Sequence, residues 1–88
     1  MKIIFSQAPM TRPALPLSDL PVGARAVVVS LDAPPALAAR LTALGFLPET
    51  EVRCRRRAPL GDPRVYELRG TQLCLRRSEA RRVRVQPS

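Results

Sequence analysis

The side chains able to do chemistry in this 88-residue chain are two cysteines and seven carboxylates, and the sequence contains no histidine. A cysteine or serine nucleophile usually takes its base from histidine, so nucleophilic catalysis lacks its normal apparatus here. The carboxylates form no recognisable acid–base pair, and neither GxxxxGK[ST] nor GxGxxG occurs as a phosphate-binding loop. The sequence therefore predicts a protein that is not an enzyme and has no cofactor site.

The two cysteines are predicted to be free thiols without a metal. No CxxC motif is present, which argues against a tetrahedral zinc site within one chain. Strand alternation puts Cys54 with Val52 on the core side, and it turns Cys74, between Leu73 and Leu75, to the other side of its strand. Two buried or half-buried free thiols are typical of a protein of the reducing cytoplasm.

Arginine supplies all but one of the 15 basic residues, and the formal net charge is +8. Such a surface favours anionic partners, although the same arginines would also suit solvated strand faces that bind nothing. Five of them are predicted to form one basic face: Arg53, Arg55, Arg57, Arg82 and Arg84. Binders of single-stranded nucleic acid usually interleave exposed aromatic residues, whereas Tyr66 is predicted to face inward.

The elements that must position these side chains are mostly short strands. Apolar alternation between turn residues predicts strands over residues 25–31, 51–57, 64–68, 72–75 and 83–85. Strands this short and closely spaced are typical of a small barrel, so we predict a mainly β fold with five antiparallel strands and one inserted α-helix. The run Val27-Val28-Val29 indicates a first strand that is buried on both sides or nearly so.

The inserted helix is predicted after the first strand, over about residues 33–44, with Asp32 as its N-cap and Gly45 as its left-handed stop. Three leucines form a stripe that should cover the barrel: Leu37, Leu41 and Leu44. The opposite face is uncharged: Ala39, Thr42 and Ala43. The helix propensity of alanine accounts for this face, and docking on a partner is the functional alternative.

The ends of the chain are predicted to lie outside the folded domain. Three prolines in residues 1–16 indicate an extended or mobile extension, in which Ile3-Ile4-Phe5 can add to a sheet edge; the domain is expected over residues 17–86, with 87–88 as a tail. No apolar run approaches the about 20 residues of a membrane helix, and the N-terminal apolar run is shorter than the about 7–15 residues of a secretory signal. We expect a cytoplasmic protein.

Four segments carry a family resemblance, in this order: 17–23 (LSDLPVG), 40–46 (RLTALGF), 58–63 (APLGDP) and 73–80 (LCLRRSEA). Together they resemble the FeoA family, the small cytoplasmic accessory proteins of bacterial ferrous iron uptake. The resemblance implies an SH3-like barrel with a helical insertion. It also implies binding to the cytoplasmic, GTP-binding part of the FeoB-type transporter, which would recruit the protein to the inner face of the membrane and modulate Fe(II) import.

Two groups of residues are hypothesised to bind that partner. The first is the helix and its exit: Ala39, Arg40, Ala43, Phe46 and Leu47. The second is the tip of the predicted hairpin together with one arginine: Leu60, Gly61 and Arg76. Each of these residues also has a structural explanation in caps, turns or packing. The alternative function is a basic small-barrel module that binds nucleic acid or acts in iron-dependent regulation, because related barrels occur in iron-dependent repressors.

Overall fold

The computed structural model describes residues 14–88, and six strands run through that part of the chain. They are β1 (Leu15–Pro16), β2 (Arg25–Leu31), β3 (Glu51–Arg57), β4 (Arg64–Leu68), β5 (Thr71–Leu75) and β6 (Val83–Pro87). The helical elements are the 3-10 turn Leu17–Asp19, α1 (Pro35–Leu44) and α2 (Arg77–Ala80). None of these described helices has the length and apolarity needed to span a bilayer. The Ile3-Ile4-Phe5 prediction lies outside the described residues.

The six strands form one antiparallel sheet in the order β1-β6-β2-β3-β4-β5. The mainly β fold with a helix between the first two long strands is confirmed, but the prediction of a five-stranded barrel is wrong. Within residues 14–88, β1 and β5 are edges that do not pair with each other, so the sheet is open. The additional strand, β1, pairs only Leu15 with Val85 and Pro16 with Arg84. Strand β1 was not predicted because two residues are too few to show alternation. Its proline is compatible with a position at the edge of a sheet.

The core collects the inward side chains of the strands and the residues that cover them. The strands contribute Ala26, Val28, Val52, Cys54, Tyr66, Leu68, Leu75, Val83 and Val85. The connecting segments contribute Leu17, Leu20, Leu41, Phe46 and Ala80. The predicted inward orientation of Val52, Cys54 and Tyr66 is therefore confirmed.

The valine run of β2 is not buried on both sides. Val28 is buried and Val27 half-buried, but Val29 is 43% exposed. The pairing of β2 with β6 shifts register between Val28 and Ser30, so Val29 sits at a bulge. A run of β-branched residues indicates a strand but does not show that a second layer covers its other face.

A bulge in β3 corrects the predicted basic face. The pairing of β3 with β4 shifts register between Cys54 and Arg56, which makes Arg56 the partner of Val65 and Arg57 the partner of Arg64. Paired residues of neighbouring strands share a face, so Arg56 points outward and Arg57 falls on the side of Cys54. Strict alternation placed Arg57 on the outer, basic face because a bulge inserts one residue without any change in composition.

Helix α1 begins at Pro35, and its N-cap position is Pro34 without a side-chain cap. The predicted N-cap, Asp32, instead follows directly after β2, and its N–H donates to the Arg82 carbonyl at 2.7 Å. Gly45 ends the helix at φ 111°, as predicted. The leucine stripe is core only in part. Leu41 is buried, Leu37 is half-buried and Leu44 is 38% exposed, so the sheet is covered mainly by the middle of the helix.

Candidate partner-binding surface

The β3–β4 hairpin presents a single large apolar side chain at its tip. Leu60 is 96% exposed, which agrees with its predicted place in the loop. The loop beneath it is ordered by two backbone hydrogen bonds, from Gly61 N–H to Ala58 O at 2.7 Å and from Ala58 N–H to Pro63 O at 2.9 Å. Gly61 has φ 88°, a left-handed conformation that glycine adopts without strain. The tip therefore holds Leu60 out on a defined turn.

The exit of α1 does not form the surface that the sequence predicted. Ala39, Arg40 and Ala43 are exposed on the helix. Phe46 is fully buried in the core, and Leu47 is half-buried. Phe46 therefore acts by packing, whereas the helix face and part of Leu47 remain accessible to a partner.

Helix α2 joins the two predicted groups. Glu79 accepts a hydrogen bond from the backbone N–H of Arg76 at 3.1 Å and forms an ion pair with the Arg40 guanidinium of α1. The N–H of Arg77 donates to Asp62 Oδ1, at the base of the hairpin, at 2.9 Å. One turn of helix thus connects α1 to the hairpin and brings Arg40 and Arg76 to the same carboxylate.

Glu79 is the residue that sequence reasoning missed at this surface. Helix α2 was not predicted because its four residues, Arg77–Ala80, are too few for helical periodicity. The sequence did contain a signal for α2, because Glu79 stands three residues after the N-cap residue Arg76. At this spacing a glutamate side chain can accept a hydrogen bond from the N-cap N–H. Arg76 at the N-cap obscured that signal, because Ser, Thr, Asp and Asn are the usual residues there.

The five arginines of the predicted basic face do not share one surface. Arg53, Arg55 and Arg84 project from the outer face of the sheet, whereas Arg57 lies on the core side of β3. Arg82 precedes β6, and its Nη1 donates to the Asp32 carbonyl at 3.3 Å. Two arginines that were not predicted complete the outer face: Arg25 and Arg56.

The inner side of β3 and β4 brings Cys54, Tyr66 and Arg64 together. Burial raises the pKa of the Cys54 thiol, although the Arg64 guanidinium opposes this shift. Burial, with Cys54 nearby, raises the pKa of Tyr66 to about 12. The Tyr66 hydroxyl donates to Leu17 O at 3.4 Å, and Arg64 Nη1 donates to Leu20 O at 3.2 Å. Tyr66 and Arg64 thus tie the sheet to the segment before β2.

The cysteines are free, with Cys54 buried and Cys74 exposed. Cys74 is more exposed than predicted because it stands on the outer face of an edge strand. Within residues 14–88, no three Cys, Asp or Glu side chains gather in a way that suits a metal ion.

A family model for the FeoA domain matches residues 15–87. Among solved structures, the FeoA of Stenotrophomonas maltophilia is 42% identical over 83% of this chain and 91% of its own, with a TM-score of 0.74. That protein is described as a procaryotic SH3 domain protein complexed with zinc. The FeoA of Chlorobium tepidum is 40% identical over 83% of this chain and 70% of its own, with a TM-score of 0.77.

A more distant likeness concerns the fold alone. A manganese-dependent transcriptional repressor matches 93% of this chain with 40% of its own, at 21% identity and a TM-score of 0.80. No curated protein matches the chain. The SH3-like sheet, the order of its elements, and the matches at 40% and 42% identity agree with the family model over residues 15–87. The chain belongs to the FeoA family.

Proposed function

We propose that this protein is a non-enzymatic, cytoplasmic accessory of ferrous iron uptake that binds the GTP-binding cytoplasmic part of the FeoB-type transporter and modulates Fe(II) import. The observation that carries the role is the FeoA match over residues 15–87. The Stenotrophomonas relative is described as a candidate activating factor of bacterial ferrous iron transport, which supports the same role here.

The proposed docking surface runs from the hairpin tip across α2 to the outer face of α1. Leu60 supplies an exposed apolar anchor on an ordered turn, and such anchors dominate the energy of many interfaces. Ala39 and Ala43 offer a smooth helix face that allows close approach. Arg40 and Arg76 flank this path, and Glu79 holds their two elements together. We omit Phe46 from the surface because it is buried.

Calorimetric titration into the purified cytoplasmic domain of the transporter tests the proposal, at low and at high salt. We expect saturable heat that persists at high salt, because an apolar anchor is not screened by ions. Leu60→Glu should raise Kd at least about tenfold, as expected for an interfacial anchor. Val22→Glu is the matched control, since Val22 is also exposed but lies outside the proposed surface, and its Kd should change less than about twofold.

Normal binding by a folded Leu60→Glu variant would remove the hairpin tip from the proposal. Heat that disappears with salt would reduce the interaction to general attraction between a basic protein and anions. The nucleic-acid alternative remains a prediction without a supporting observation, because Phe46 and Tyr66, the aromatic residues within 14–88, are both buried and offer no stacking surface. The likeness to repressors extends to the fold only.

A further inference from the structure

A depression of about 270 Å³ lies on the sheet between the ends of β2 and β3 and the β4–β5 turn. Its charged lining consists of three arginines and two glutamates: Arg25, Arg53, Arg69, Glu51 and Glu67. None of these residues belongs to the proposed docking surface.

Two of the arginines are held against each other by strand register. Arg25 of β2 is the direct cross-strand partner of Arg53 of β3. Like charges in this arrangement destabilise a sheet unless something compensates them. Glu67 stands on the other side of Arg53, but its carboxylate pairs with Arg55 at 3.5 Å. Among the described residues, no ion pair compensates Arg25 or Arg53.

Arg53 also has an unused donor. Its Nε is buried, and no hydrogen-bond acceptor within the described residues reaches it. Buried polar atoms are almost always paired with protein, water or a bound ion. Arg64 Nε, on the inner side of the sheet, is also unpaired among the described residues, so the presence of a ligand here is inferred from the three arginines together. Nε and a neighbouring Nη form a planar fork that fits two oxygens of one oxyanion.

Arg69 adds a third cation where the fold does not favour arginine. Arg69 and Gly70 form the two-residue turn between β4 and β5, with φ 54° and 77°. Such turns prefer Asn followed by Gly, because a side chain at positive φ is strained. The turn thus accepts a less favourable residue and thereby places a guanidinium at the edge of the depression.

We propose that this depression, the Arg25–Arg53–Arg69 site, binds one small oxyanion of the phosphate class. Arg53 supplies the fork, Arg25 and Arg69 supply further positive charge, and the anion relieves the repulsion between Arg25 and Arg53. Glu51 and Glu67 limit the ligand to one compact anionic group, because their charges repel an extended polyanion. The group is either free phosphate or the phosphate of a small ester.

Proton–nitrogen NMR of the arginine Nε–H groups tests the site directly, with inorganic phosphate as the first probe and chloride at matched ionic strength as its control. We expect a saturable shift of the Arg53 Nε–H resonance with phosphate and none with chloride. A parallel titration with a ribonucleoside monophosphate distinguishes the two sources. Saturation by phosphate identifies the free ion as a sufficient ligand, and saturation by the ester alone identifies the ester.

Two variants and one control make the test specific. Arg53→Gln should weaken binding of the saturating probe at least tenfold. Arg25→Gln, at an exposed position that the fold does not need, should do the same and serves if Arg53→Gln does not fold. Arg84→Gln removes the same charge from the same sheet face outside the depression and should change Kd less than twofold. The proposal is overturned if neither probe saturates, or if Arg84→Gln weakens binding as much as Arg25→Gln.

Discussion

The hairpin tip and the exit of α1 both carry apolar residues in turns, yet the structure uses them in opposite ways. Leu60 is almost fully exposed, whereas Phe46, just beyond the helix, is fully buried. Gly45 reverses the chain at φ 111°, and the Phe46 N–H then donates to Leu41 O at 3.1 Å, which leads Phe46 into the core. An apolar turn residue is therefore a candidate for binding only where the chain does not return to the core.

The largest difference in stability is expected when the Phe46 and Leu60 side chains are each truncated to alanine. Phe46→Ala should lower the free energy of unfolding by about 3–5 kcal/mol, because it removes a buried aromatic ring and leaves a cavity. Leu60→Ala should change it by no more than about 0.5 kcal/mol. Urea denaturation monitored by circular dichroism measures both. Equal stability of the two variants would show that Phe46 is not part of the core.

Alkaline titration tests the interior that Phe46 shares with Tyr66. Tyr66 is the single tyrosine of the chain, so phenolate absorbance reports on it alone. Its pKa of about 12 in the folded protein exceeds the usual value of about 10, so only the unfolded state ionises between these values. Stability is therefore full below about pH 10 and falls as the pH rises toward 12. In urea, the midpoint of phenolate formation should lie at about pH 10. The same midpoint in the native protein would contradict the burial of Tyr66.

One glycine in each of the two regions allows a matched substitution: Gly45 at the exit of α1 and Gly61 at the hairpin tip. Gly45 and Gly61 both have positive φ, so alanine at either position is strained by about 1–2 kcal/mol. An added Cβ at Gly45 also meets Leu68 Cδ1 at 3.1 Å, whereas one at Gly61 meets open space. Gly45→Ala should therefore cost more stability than Gly61→Ala, about 2 kcal/mol against about 1 kcal/mol. Thermal melts compare them, and the reverse order would mean that Leu68 yields freely.

The smallest expected effect concerns the connection between the two regions. Glu79→Gln weakens the ion pair between α2 and Arg40, whose side chain is half-exposed, so the loss should be about 0.5–1 kcal/mol. Glu67→Gln is the control, because its pair with Arg55 is longer and both side chains are partly exposed. Hydrogen exchange of the α2 amides should increase in Glu79→Gln and stay unchanged in Glu67→Gln. Identical exchange in both variants would mean that Glu79 does not anchor α2.

Much of the sheet was predictable from local pattern. The bounds of β2, β3 and β4 agree with the prediction, because alternating apolar residues and flanking turn residues define strands locally. Gly45 ends α1 as expected, since only glycine takes φ 111° readily at a helix end. The exposure of Leu60 was likewise predictable from its place in a loop with glycine and proline.

The predictions fail where a single inserted residue, or a partner far away in the chain, determines the position of a side chain or strand. The bulge in β3 exchanged the faces of Arg56 and Arg57, and the two-residue β1 has no pattern of its own. Phe46 was assigned to the surface because the sequence predicts the stop at Gly45 but not the packing of the side chain that follows it against distant strands. The cross-strand pair of Arg25 and Arg53 is set by register between segments far apart in the chain.

The amino-acid sequence alone determined five of the six described strands, the long helix, the basic charge and the resemblance to FeoA, because these follow from local periodicity, composition and motif order. Tertiary structure decided which arginines share a face, that the sheet stays open, and that Glu79 joins the helices to each other. These depend on pairing between distant segments, where the shift of one residue moves a side chain to the opposite face.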